Sequence, residues 1–193
     1  QSKSLDEIMN QYSFTNDQKK NTRELLSDKY SDLWAQLLYG TNFGDFINWK
    51  QTDETWASTP IGTSGKTLGQ IGCLATSISI LIERSGAGRT IVPFTPQTFV
   101  QKMNENGGFD SKGNLQYGAI TKFIPSFLYV GRVSLKGKTK NEKYQLINKY
   151  QSSNYYLALE VMGDTGQHWV AIIDTKGNKI TIADPGSNAT DLW

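Results

Sequence analysis

The sequence predicts an α+β fold, helices first and an antiparallel sheet after. Two observations carry this. Apolar residues recur at helical spacing through the first two thirds of the chain, and in the last third the period changes to that of strands. A third is the tetrapeptide Lys176-Gly-Asn-Lys179 between two β-branched runs, a hairpin signal.

Taken in order, residues 1–40 read as helical. Thr15 and Gln18 fit a capping box, and Ser31 to Gly40 reads as a second short helix. Residues 41–72, rich in Gly, Thr, Ser and Asp, are expected to be loop with at most a short strand or turn. From Cys73 to Arg84 runs a helix with Leu74, Ile78, Leu81 and Ile82 at i, i+4, i+7 and i+8. Its other face, Thr76, Ser77 and Ser79, is small enough for close approach, so a central, mostly buried helix is expected. Pro96–Glu105 is a helix with Pro in its first turn, and Phe109 to Leu115 is a polar turn without the acid spacing of an EF-hand. Asn141 to Tyr150 is a further helix. Tyr155–Val161, Trp169–Thr175 and Ile180–Ala183 are strands.

The bulk numbers exclude several classes. With 193 residues, 37% hydrophobic and 20% charged, the chain is an ordinary globular domain with an appendage. No apolar run approaches the roughly 20 residues of a membrane span. A net charge of +2 and one short basic run, Lys136 to Lys143, read as a solvated face and not a nucleic-acid interface. The chain starts at Gln1 and reads as a mature form or a piece of a larger polypeptide. One cysteine excludes an intrachain disulfide and a cysteine-based zinc cluster; one histidine excludes a histidine cluster. No metal or organic cofactor is expected.

Those two single residues carry the chemistry. Cys73 follows Gly72 at a helix start, where unpaired N–H groups favour thiolate and the N–H of Cys73 itself can serve as an oxyanion donor. Gly72 leaves room for a substrate backbone and permits an unusual turn. His168 opens a strand and is the one imidazole that can act as base. A hairpin turning on Gly177-Asn178 places Ala171 opposite Asp184, with His168 near the same end. Asp184 can then orient the ring. Asp184-Pro-Gly186 is equally a plain turn former, and Asp174 is the rival carboxylate. Gln51 and Gln70 both precede Cys73 as possible second oxyanion donors, and spacing favours Gln70. Trp56, Tyr117 and Trp169 are candidate exposed aromatics for stacking on sugar, or else core residues.

Gln51-Thr-Asp-Glu-Thr-Trp56, Ile71-Gly-Cys-Leu-Ala-Thr-Ser77, His168-Trp-Val170 and Asp184-Pro-Gly-Ser187, in this order, resemble the C39-like branch of papain-fold cysteine peptidases. Gly107 to Asn114 is similar to that family's middle loop. The resemblance covers roughly residues 45–190. It implies a papain-like domain over 45–193 preceded by a helical extension over 1–44. It also implies that Cys73 is the nucleophile, His168 the general base and acid, Asp184 the orienter and Gln51 the oxyanion donor. Relatives include bacteriocin leader peptidases, usually fused to a transporter absent here, and cell-wall hydrolases carried by phages and conjugative elements. The expected function is therefore hydrolysis of an amide bond in a peptide or peptidoglycan, outside the cell or at the cell wall. Alternatives are a deamidase or acyltransferase with the same triad, or a non-catalytic peptide- or glycan-binding module.

Overall fold

A computed structural model describes residues 41–193 together with positions 10, 11, 13 and 15–17; the side chains of residues 41–44 are not among those described. Gln18, which would close the expected capping box, and the helix expected over residues 31–40 therefore lie outside the described residues. The rest is α+β: helices and one small antiparallel sheet, ordered β1-β2-β3.

Where loop with at most a short strand or turn was expected, the chain forms a 3-10 helix at Thr41–Asn48 and a one-turn helix α1 at Leu68–Ile71. Thr67 heads α1 with a capping box closed by Gln70, a local signal in the sequence Thr-Leu-Gly-Gln that the Gly-rich composition obscured. Helix α2, Cys73–Ser85, follows at once and ends where Gly86 turns left-handed at φ 75°. Helix α3 is Pro96–Glu105 and α4 is Lys140–Ser152, each with a threonine cap, Thr95 and Thr139. Strands β1 (Ala158–Gly163), β2 (Gly166–Lys176) and β3 (Lys179–Ala183) close the chain. The hairpin turn sits at Gly177-Asn178, with φ 58° and 64°, the left-handed pair a two-residue turn requires.

Helix α2 is buried on every side over Ala75–Glu83, the central, mostly buried helix expected. Ile78 and Ile82 join Trp56, Leu68, Phe94, Phe99 and Met103 in a helical core. Ile80 and Leu81 face the sheet, against Ala171 and Ala183. The small residues of the remaining face are all fully buried: Thr76, Ser77 and Ser79. The other face of the sheet, with Val170, Ile172, Ile180 and Ile182, is covered by Tyr144 and Ile147 of α4. So the order of layers is helical core, α2, sheet, α4.

The hairpin register departs from the uniform pairing expected. Lys176 pairs with Lys179 and Asp174 with Thr181, but beyond them a bulge at Ile173 shifts the ladder by one. Ala171 therefore pairs with Ala183, not with Asp184. Extending that register past the end of β3 puts Gly186 across from His168. The bulge thus draws the Asp184-Pro-Gly186 turn toward the histidine.

Ala171 has no exposed surface and lies against α2. Replacing it by leucine forces α2 away from the sheet, and Ala171→Leu is expected to cost about 1–3 kcal/mol. A urea unfolding midpoint equal to wild type would contradict this packing.

Candidate active site

The site lies where the tip of α2 meets the end of the sheet. His168, on β2, gives its Nε2 to the Oδ1 of Asp184 at 2.5 Å, and both side chains are largely buried. Asp184 is held by its own turn. Its Oδ1 also accepts from the Gly186 N–H at 2.7 Å, and its Oδ2 accepts from the Ser187 hydroxyl at 2.7 Å. The turn reading and the orienting reading of Asp-Pro-Gly are thus one structure: an Asx-type turn aims the carboxylate. Gly186 also leaves room for the ring. A β-carbon there would stand 3.0 Å from His168 Cε1. Asp174, the rival carboxylate, is exposed and accepts the N–H of Thr175, away from the imidazole.

Burial pushes the Asp184 carboxyl up, but the hydrogen bonds from His168, Ser187 and Gly186 outweigh it and hold the group below its ordinary 3.8. An ionised Asp184 makes Nε2 the protonated ring nitrogen and leaves Nδ1 with the free lone pair.

Cys73 heads α2, half-buried. The N–H groups of Trp169, Leu74 and Cys73 itself point at its sulfur and favour thiolate, as a helix start should. Burial outweighs them, and the Asp184 charge adds to it, so the thiol is pushed up from its ordinary 9.0. The helix-start N–H groups favour thiolate as expected, but burial, which the sequence does not show, outweighs them. The structure brings the sulfur to Trp169, the residue after His168. No hydrogen bond joins sulfur and imidazole among the described residues.

Gly72 has φ −89°, so an unusual backbone turn is not its reason. A β-carbon would instead stand 2.3 Å from the Leu68 carbonyl oxygen, so glycine lets α2 follow α1 without a spacer.

Gln51 lies 22 residues before Cys73 in sequence, yet the fold returns it to this place. Its N–H donates to the Pro185 carbonyl at 3.0 Å, and its Nε2 donates to the Gly69 carbonyl at 3.1 Å. One N–H of the amide remains for a further acceptor. Gln70, which spacing favoured, is exposed and spends its Oε1 on the Thr67 N–H.

Sequence reasoning missed Lys50. Its ammonium donates to the carbonyls of Asp184 at 2.8 Å and Ser187 at 2.5 Å, pinning the turn that holds His168. Burial lowers its pKa, and the Asp184 charge partly restores it. No local signal marks such a residue, because its targets lie more than 130 positions away. The aromatic candidates divide. Trp56 is a core residue, 7% exposed, with its indole N–H on the Lys50 carbonyl at 2.7 Å, which removes it as a sugar platform. Tyr117 and Trp169 are half-buried and border a groove. Among the described residues no group of His, Cys, Asp and Glu could hold a metal ion, and no helix is long and apolar enough to cross a membrane.

Comparison with protein-family models, with curated proteins and with solved structures found no match.

Two measurements test the electrostatics. Iodoacetamide alkylation of Cys73 is expected to accelerate with pH toward a midpoint above 9.0, and to return to the ordinary thiol range in urea. A midpoint near 6 would mean that an imidazolium outweighs burial. Asp184 has a lowered folded pKa, so its stabilisation is present above 3.8 and is lost as the pH falls below it. Asp184→Asn should therefore flatten the acid side of a Tm-against-pH curve, and an unchanged acid limb would refute the assignment.

Proposed function

We propose that this chain is a papain-like cysteine hydrolase that cleaves an amide bond through Cys73, His168 and Asp184. The observation that carries the reading is the 2.5 Å His168–Asp184 pair at the tip of the helix that Cys73 heads. A buried carboxylate on Nε2 leaves Nδ1 to act as base, which is what an unionised thiol needs. His168 takes the thiol proton as sulfur attacks the carbonyl, and then gives it to the leaving amine. Water resolves the thioester, with His168 again as base. The Cys73 N–H and the remaining N–H of Gln51 are the donors for the developing oxyanion. The chain's own residues suffice for this chemistry.

The substrate class follows from the motif resemblance: a peptide, with the stem or cross-link peptides of cell walls first. The setting is a secreted or cell-wall-associated hydrolase of phage or conjugation type, part of a larger polypeptide. Transfer of the acyl group to an amine, or deamidation of a protein glutamine, would use the same triad. A binding module without turnover would use the groove alone.

Digestion of purified cell walls, followed by mass analysis of fragments, names the bond. Cys73→Ala and His168→Ala are each expected to lower turnover by about 10⁴-fold or more. Gln51→Ala should lower kcat about 10²- to 10³-fold with little change in KM. Wild-type activity in Cys73→Ala would end the proposal, and ammonia release without fragments would favour deamidation.

A further inference from the structure

A groove of about 1980 Å³ runs from Trp169 between β1 and the segment 126–136. Trp169 belongs to both places: its N–H reaches the Cys73 sulfur and its indole lines the groove. One wall is the outer side of β1, which among the described residues pairs with β2 alone, so its outward backbone groups have no strand partner there. The facing wall is the segment around Val130 and Val133, 71% and 55% exposed, outside any helix or strand. Such an edge suits an extended peptide, which adds to a sheet through its main chain.

The charge of the lining is one-sided. Among the described residues of the lining, Arg89, Arg132, Lys136 and Lys143 are the cations and Glu160 is the one acidic side chain. Glu160 accepts from the Gln167 amide at 2.5 Å, and its charge also acts on Arg132. Arg132 lies by Trp169, whose backbone N–H reaches the Cys73 sulfur. Its guanidinium lies 5.5 Å from the centre of the Trp169 ring and bonds the Tyr117 hydroxyl at 3.5 Å, while Tyr117 stacks on Tyr129 at 4.2 Å. The guanidinium is exposed and, among the described residues, no carboxylate pairs with it directly, though the Glu160 charge reaches it.

We infer that the groove binds an extended acidic peptide beside β1, with Arg132 selecting a carboxylate next to the scissile bond. This deepens the hydrolase reading and rests on Cys73 as nucleophile. Aromatic and apolar walls around the Arg132 guanidinium fit a peptide carboxylate better than a run of phosphates.

The test uses the full chain carrying Cys73→Ala and fluorescein-labelled octapeptides with one glutamate, glutamine or lysine at a fixed position. The glutamate peptide is expected to bind about three- to tenfold tighter than the glutamine peptide. Arg132→Lys should keep most of that preference, and Arg132→Glu should reverse it in favour of lysine. Equal affinities, an unchanged order in Arg132→Glu, or equal binding of a thymidine oligonucleotide would overturn the inference. Wild-type turnover with no charge preference would remove the groove assignment and leave the triad standing. Charge-selective binding with no turnover of any peptide would keep the groove and remove the triad.

Discussion

Helix α2 lies close against β2 because both surfaces are built from small side chains. Ala171 and Ala183 face the helix, and the Ser77 hydroxyl bonds the Trp169 carbonyl at 3.2 Å. That approach brings the N-terminal tip of α2, and with it the Cys73 sulfur, to the N–H of Trp169. Gly72 allows the same closeness on the other side, where α1 abuts α2. Large side chains at any of these places would hold the helix off the sheet and separate the thiol from the end of β2 that carries His168.

The second constraint is the turn after β3. One short Asx-type turn satisfies three needs at once: it stops the strand, buries a carboxylate with full hydrogen bonding, and fixes the imidazole tautomer. It is anchored from the opposite end of the chain. Lys50 donates to two of its carbonyls, Gln51 donates to a third, and Trp56 bonds the Lys50 carbonyl in turn. The segment 50–56 therefore serves as a strap between the helical core and the sheet. The side chain on that strap which reaches the α1 turn is the amide of Gln51.

Electrostatics at the sulfur is a contest between two effects of position. A helix start supplies N–H groups that favour the anion, and a seat between two packed layers removes water that would solvate it. Desolvation is the larger effect here. A thiol kept protonated at rest is protected from adventitious oxidation, and it depends on a neighbouring base for its reactivity.

Much of this was legible in the chain. Helical spacing, Pro96 and the Gly177-Asn178 turn fixed α3, the core of α2 and the β2–β3 hairpin, because those signals are local. Cys73, His168 and the Asp184 turn stood out as single residues at element ends. What escaped was everything set by partners far away in sequence. The bulge at Ile173 moved the pairing of Ala171 from Asp184 to Ala183. Burial outweighed the helix-start bias of the Cys73 thiol. Gln51, and not the nearer Gln70, lies beside the Asp184 turn, since local capping consumed Gln70. Lys50 entered the site and Trp56 left the surface for the core. The sequence by itself determined which residues can do chemistry and where helices and turns begin, through backbone preferences a few residues long. Tertiary packing alone decided their protonation, register and neighbours, because desolvation and long-range hydrogen bonds exist only once the layers have closed.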